Sequence, residues 1–332
     1  MAIKRLRTGH LHRKASLDRG GGEFGSTPAA QDVNVTLRQL RYFDALVQSL
    51  HFGRAAKKCS ISQPALSMQI QELEREIGTA LVERRRQGIQ LTDKGEKIAR
   101  RVVRILSDVG DLVGYAQHKH QLLSGGLRLG VIPTIAPYVL PPLLSFLRAN
   151  YPDLELDLRE SQTQNLLNEL VGGRLDVALL ALPVKHVDLE SERLFADHFL
   201  LALPRSRRMP AKTVATPGLM MRDRLLLLEE GHCLRDQVLS VSGLRKKQNV
   251  RASGAANLST IVQMVANGNG ITLLPEISID LESRNVPLRL MRFAKPEPHR
   301  ILGLAWRRSS PRKRDFRALG KLIKAIHKRN HE

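Results

Sequence analysis

Apolar residues recur at three- and four-residue steps through Leu37, Leu40, Phe43, Leu46, Val47 and Leu50, with Arg38, Arg41 and Gln48 between them. That period predicts an amphipathic helix with one stripe turned to a core. A shorter helix over 54–59 follows, in which Ala55 and Ala56 are small enough for another helix to cross closely, and Ser60 and Ser62 mark a turn. Ser62 is placed to cap a third helix, with Pro64 in the first turn where no backbone donor is needed. In that helix Ala65, Leu66, Ile70 and Leu73 fall on the inward side, and Gln63, Ser67, Gln71 and Glu74 on the outward side. The order is that of a helix-turn-helix, and a projecting helix start rich in Ser and Gln suits phosphate and base-edge contacts in a major groove. Three ordinary helices of an all-α domain satisfy the same pattern. The next stretch favours DNA: residues 81–92 carry Arg84, Arg85 and Arg86 at a tip, then Gly88 and an alternating Ile89 and Leu91. This predicts a β-hairpin wing whose arginines reach a flanking phosphate or a narrow minor groove.

Thr92 then caps a long helix in which Ile98, Val102, Ile105, Leu106, Val109, Leu112 and Val113 return at helical spacing. A single helix with such a seam needs a partner, and self-pairing would present two recognition helices to a two-fold DNA site. Gly125 and Gly126 mark a hinge, after which strand and helix alternate. Strands are expected at 127–132, 154–158, 177–180, 199–203, 225–228, 270–274 and 302–306, with helices at 139–149, 163–171 and 259–266. That alternation predicts an α/β unit of two subdomains with a cleft between them. Gly268 and Gly270 form no dinucleotide fingerprint and read as turn glycines. The chain divides into an extension over 1–34, a winged helix-turn-helix over 35–91, a linker helix over 92–123 and an α/β unit over 124–332. The extension, with Gly20, Gly21 and Gly22, reads as a flexible basic arm, or equally as a start codon placed too early.

Charge refines this division. The 332 residues carry a formal net charge of +21, which fits a polyanionic partner. Residues 1–125 hold 21 basic against 12 acidic side chains, 126–288 hold 18 against 17, and 289–332 hold 14 against 3. A nearly neutral centre fits ligand sensing or assembly and not uniform polyanion coating. In the tail, Phe316, Leu319, Leu322, Ile323 and Ile326 predict a buried stripe, which leaves the tail's cations as a solvated face. No stretch approaches the roughly 18 apolar residues of a membrane span. The expectation is a soluble, cytoplasmic protein. The 11 histidines are scattered without metal-ligand spacing, no serine triad is visible, and no metal or cofactor is implied.

Two cysteines exclude a disulfide framework and fit a reducing compartment. Cys59, beside Ala55 and Ala56, reads as a small packing residue. Cys233 differs, because it follows a strand and stands near a helix start. Such a helix end, with Arg235 or His232 nearby, favours the reactive thiolate, while Asp236 would oppose that charge or hold Arg235. Inert packing is the plainer alternative.

LRQLRYF, HFGRAA, SQPALSMQIQELE and LTDKGE resemble, nearly residue for residue, the DNA-binding domain of LysR-type bacterial transcriptional regulators. The resemblance implies that Ser62, Gln63, Pro64 and Ser67 open the recognition helix, with Gln71 further along it and Arg84 to Arg86 on the wing. It also implies a periplasmic-binding-protein-like regulatory domain, double-stranded promoter DNA and RNA polymerase as partners, and a homotetramer built as a dimer of dimers. GVIPTIAPYVLP, ESQTQNLL, EEGHCLRDQ, GITLLPE and KPEPHR resemble the hydrogen-peroxide-sensing OxyR subgroup, over about residues 36–330. Cys233 then matches the peroxide-reacting cysteine, and Thr134, Thr163, His232, Arg235 and Asp236 its pocket. One departure matters: the resolving cysteine expected nine positions on is Ser242, and the 243–258 loop also differs. This leaves a persistent sulfenic acid, a mixed disulfide with a small thiol, or a bond between Cys233 residues of two subunits. The alternatives are a regulator with a small-molecule effector in the cleft and, from another class, a thiol peroxidase.

Overall fold

The computed structural model describes residues 34–85, 88–117, 121–210, 213–243 and 253–331. Nearly all of the expected arm, Arg86, the Arg84 side chain and most of the 243–258 loop lie outside the described residues.

Helix α1 (Leu37–Ser49) starts at Thr36, whose hydroxyl accepts the Gln39 N–H at 3.2 Å while Gln39 Oε1 accepts the Thr36 N–H at 2.8 Å. This reciprocal cap buries Gln39, a polar residue the apolar period does not mark. Leu37 and Leu50, expected in the buried stripe, sit at the helix ends and are exposed. Helix α2 (Phe52–Lys58) begins two residues earlier than expected because His51 Nδ1 accepts the Gly53 N–H at 3.0 Å. Ser62 caps α3 (Gln63–Ile77) by accepting the Ala65 N–H at 3.3 Å, and Gly78 ends it in the left-handed region. Phe43, Leu46, Ala55, Ala56, Leu66, Ile70 and Leu73 form the core of this head. Strands β1 (Val82–Arg85) and β2 (Gly88–Leu91) pair antiparallel as the expected wing. Glu74 was expected to face outward. It turns back instead, and Oε1 accepts the N–H groups of Leu81 at 2.7 Å and Val82 at 3.1 Å, because the first wing strand otherwise leaves those donors without partners.

Helix α4 (Asp93–Gln117) is capped by Thr92 Oγ1, which accepts the Gly95 N–H at 2.8 Å. Its apolar seam divides. Ala99 and Val102 join the head core with Leu106 against it, whereas Ile105, Leu112 and Val113 are 44%, 68% and 48% exposed.

The remaining chain forms β3 (Gly125–Val131), α5 (Ala136–Asn150), β4 (Leu154–Glu160), α6 (Thr163–Val171), β5 (Val177–Leu182) and β6 (Leu189–Pro204). It continues through α7 (Pro217–Arg222), β7 (Leu226–Leu228), α8 (Cys233–Val241), β8 (Ser253–Ala255), α9 (Leu258–Ala266) and β9 (Thr272–Pro275). It ends with α10 (Ile279–Glu282), β10 (Leu288–Met291), β11 (His299–Arg307) and α11 (Lys313–His331). The main sheet runs β10-β6-β11-β5-β3-β4, with β9 also on β6, and β7 pairs with β8 separately. β6 spans two lobes: its first part pairs with β11, and Phe199 to Pro204 pair with β9 and β10. Lobe I is built on Leu129, Leu179, Leu304, Trp306 and Phe316, and lobe II on Phe199, Leu201, Leu226, Ile261 and Leu273. The strand expected at 199–203 is thus the end of a 16-residue strand whose polar-apolar first half pairs with β11 along one edge. On α11 the expected stripe is buried at Phe316, Leu319 and Ile323, while Lys313 and Lys324 pair with Glu190 and Glu192 at 2.9 and 3.0 Å.

Candidate functional site

The parallel strands β3 and β4 end side by side, with Val131 opposite Glu160 and Ser161 donating its N–H to the Val131 carbonyl at 3.2 Å. Thr134 and Thr163 each follow three residues beyond that pair, so the register sets both at one sheet edge, where α5 and α6 begin. Open α/β sheets bind ligands at such carboxyl ends, where loops and helix N-termini converge. Thr134 is 3% exposed; its Oγ1 and its carbonyl accept from Arg300 Nη1 and Nη2, each at 2.9 Å. With Arg300 donating to the hydroxyl oxygen, its hydrogen remains to donate. Thr163 Oγ1 is buried with no hydrogen-bond partner among the described residues.

Cys233 opens α8 one turn of chain after β7. Gly231, at φ +92°, makes that turn, and a Cβ there would overlap the Gln162 carboxamide. The dihedral favours glycine, whereas the overlap is with the end of a flexible side chain. Gln162 Nε2 also donates to the Glu230 carbonyl at 3.3 Å, which presses the turn before Cys233 against the start of α6. The half-buried Cys233 packs on the lobe I core, although Leu234 and Val238 of its own helix belong to the lobe II core. The thiol therefore lies where the lobes meet, at the N-terminal turn of α8.

The neighbours of Cys233 behave differently from one another. Burial holds the His232 imidazole below its usual range, opposed by Glu229, so the ring is neutral at pH 7. Arg235 Nη1 donates to the Leu228 carbonyl at 3.0 Å, so Arg235 braces the β7–α8 junction and is held by that carbonyl and not by Asp236. Asp236 is exposed. Gln237, one turn beyond Cys233, buries Oε1 with no partner among the described residues. Ser242 caps the far end of α8, fully buried, with Oγ donating to the Leu239 carbonyl at 3.0 Å. Nine residues of helix set it about 13 Å from Cys233. A disulfide spans at most roughly 7 Å between Cα atoms, so even a cysteine at 242 would reach Cys233 only after α8 unwinds. Cys59 packs against the head core, where burial pushes its thiol up.

Several site residues escape sequence reasoning. Arg300 Nε donates to Asp197 Oδ2 at 2.8 Å with both side chains 0% exposed, and Asp197 Oδ1 accepts the Ile277 N–H at 3.1 Å. A buried ion pair holds only when its remaining donors and acceptors are engaged, and Thr134 and Ile277 complete this one. The available signal is a charge beside an otherwise apolar run: Arg300 precedes Ile301 to Trp306, and Asp197 nearly adjoins Phe199 to Leu203. Tyr138 of lobe I donates to Glu282 Oε1 at 2.8 Å, which also accepts from Ser259 Oγ at 3.0 Å. Burial and that carboxylate push the Tyr138 phenol far above its usual range. A cavity of about 470 Å³ lies elsewhere, between α4 and lobe I. Among the described residues no group of three or more His, Cys, Asp and Glu side chains could hold a metal, and no helix is long and apolar enough to cross a membrane.

In the head, Ser62, Gln63, Pro64 and Gln71 are exposed along α3, with Ser67 half-buried between them. Arg85 projects from β1 with its charge 3.7 Å from Glu83.

A winged helix-turn-helix head, a long linker helix and a two-lobed α/β unit with a thiol at the lobe junction define a class: DNA-binding regulators with a responsive C-terminal half. Residues 37–96 match the family "Bacterial regulatory helix-turn-helix protein, lysR family", and residues 120–327 match the "LysR substrate binding domain". A probable hydrogen peroxide-inducible genes activator of Streptomyces viridosporus is 40% identical over 87% of this chain and 93% of that protein. The structure of full-length OxyR from Pseudomonas aeruginosa, carrying a cysteine-to-aspartate substitution, is 34% identical with a TM-score of 0.70, covering 87% of this chain and 97% of that one. An H2O2-bound cysteine-to-serine mutant of Corynebacterium glutamicum OxyR is 33% identical with a TM-score of 0.60, covering 89% and 94%. The chain belongs to the LysR family of bacterial transcriptional regulators and, within it, to the OxyR-like hydrogen peroxide-inducible gene activators. As a helix-turn-helix regulator of this type it binds DNA and self-associates.

Proposed function

We propose that the chain switches gene expression when peroxide oxidises Cys233. One observation carries this reading: Cys233 sits at the first turn of α8 against the core of the other lobe, and Thr163 Oγ1 on α6 and Gln237 Oε1 on α8 are buried without partners among the described residues. A small molecule that both donates and accepts hydrogen bonds answers such groups, and hydrogen peroxide does both. Thr134, held by Arg300, donates to one peroxide oxygen, and Thr163 and neutral His232 hold the other. The Cys233 thiolate attacks; the S–O bond forms as the O–O bond breaks. Sulfur loses two electrons to give a sulfenic acid, and the departing oxygen takes a proton and leaves as water. Arg235 fixes the first turn of α8, and Asp236 adds negative charge to it from the surface.

With Ser242 in place of a second thiol, the sulfenic acid persists, condenses with a low-molecular-weight thiol to a mixed disulfide and water, or joins Cys233 of another subunit. The same serine favours a second reading, a small-molecule effector bound between the lobes. Residues 35–91 form the DNA-reading head, in which Ser62, Gln63, Pro64, Ser67 and Gln71 face the major groove of a promoter and Arg84, Arg85 and Arg86 its flank. The exposed seam of α4, within 92–123, pairs two copies. The regulatory unit is 124–332; the assembly is a homotetramer that recruits RNA polymerase in the cytoplasm, and the extension over 1–34 adds charge. In the test, Cys233→Ser abolishes the peroxide response of operator binding while Cys59→Ser keeps it. An unchanged response in Cys233→Ser, with saturable metabolite binding, would establish the second reading instead.

A further inference from the structure

Strand β11 carries a buried arginine near each end. Arg300 holds Thr134 and Asp197 at the lobe junction, whereas Arg307 reaches the other way. Its Nη1 donates to the carbonyls of Leu170 at 2.8 Å and Leu175 at 2.7 Å, and its Nη2 donates to Asp111 Oδ1 of linker helix α4 at 2.7 Å. Ser309 Oγ donates to the second Asp111 oxygen at 3.3 Å, and Arg104 of α4 pairs with Asp188 beside the start of β6. A Cβ on Gly173 would overlap Ser107, so backbone and helix touch closely there. The rest of the contact is unfilled. The cavity of about 470 Å³ opens beside Asp111 and Arg307, and Ser107 Oγ, which lines it, is buried without a partner among the described residues. Charge pairs around a void separate and re-form as a unit more readily than the close-packed cores on either side.

The geometry points to Arg307 and Asp111 as the positioning pair through which the state of the thiol site reaches the DNA-binding head, with β11 as the connecting element; this rests on Cys233 being the switch. β11 is hydrogen-bonded to β5 on one side and β6 on the other, so its two arginines move as the ends of one stiff piece. Rearrangement around Thr134 or Asp197 shifts β11 against α6, whose Leu170 carbonyl holds Arg307, and misaligns Arg307 with Asp111. Helix α4 then has two arrangements, docked on lobe I and released, and each holds the head differently.

The test uses the full-length protein on a duplex that the wild type selects from a random pool. Asp111→Asn removes the charge but not the volume, and Asp111→Glu restores the charge. The Asn variant is expected to oxidise at Cys233 at the wild-type rate, read by mass spectrometry, and to bind DNA when reduced within about threefold of wild type, while its peroxide-induced change in affinity shrinks about tenfold. The Glu variant retains the response. A wild-type response in Asp111→Asn overturns the inference, as does loss of Cys233 oxidation together with the response, which marks a merely structural role. Should Asp111→Asn fail to fold, Arg104→Gln weakens the same contact and is judged by the same outcomes. If the wild type itself shows no peroxide response, the reading of Cys233 fails first and the inference falls with it.

Discussion

At the residue scale, the surroundings of Cys233 are neutral hydrogen-bonding groups more than cations. His232 is neutral because burial penalises its charged form, and the Arg235 guanidinium serves the Leu228 carbonyl. Cys233 itself stands at the first turn of α8. The lowered His232 value has a consequence for stability. Below its ordinary value of 6.5 the unfolded chain takes up a proton that the fold resists, so this contribution is complete above that pH and is lost as pH falls toward the folded value. Thermal unfolding followed from about pH 7.5 to about pH 5.5 is expected to show a flatter decline for His232→Gln than for the wild type. Equal slopes would mean that His232 titrates freely. Cys233 is visible in the sequence because a helix start after a strand has a local signature, whereas Thr134 and Thr163 are marked only by the family resemblance. Arg300 and Asp197 leave no such trace, since their bond joins positions 103 residues apart.

At the scale of elements, periodicity locates α1, α3, α4, α6, β3, β5 and the buried face of α11, all of which are long or strongly patterned. It misses α7, α10 and β10, whose four to six residues are too few to show a period. It also mistakes the role of Glu74, because a helical wheel shows the side facing away from one core and not the strand that packs there afterwards. Glu74 ties the recognition helix α3 to the wing through the Leu81 and Val82 N–H groups. Glu74→Ala leaves both donors unpartnered and is expected to cost about 1–3 kcal/mol of stability. Because it frees the wing from the helix, operator affinity should fall about tenfold, a loss of roughly 1.4 kcal/mol. Calorimetry and operator titration at fixed salt check both; unchanged affinity would show that the wing holds its position without this link.

At the scale of the whole molecule, the chain places Cys233 at the junction of two cores and its helix-turn-helix head beyond a 25-residue helix. On the proposed reading, oxidation alters a small volume beside Cys233, and its effect on DNA passes through the lobes joined by β6 and through α4, docked on lobe I by Asp111. Ile105, Leu112 and Val113 leave an exposed apolar stripe on α4, where the proposed pairing of two copies would fall. The missing second thiol changes the oxidised product and not the first step, because attack on peroxide needs one sulfur. The most direct measurement is mass spectrometry of the reduced protein after brief stoichiometric hydrogen peroxide, with operator binding followed on the same samples. The expected result is an added oxygen, or a small-thiol adduct, on Cys233 ahead of Cys59, rising together with the change in DNA binding. Equal, slow oxidation of both thiols, or oxidation of Cys233 with DNA binding unmoved, would contradict it.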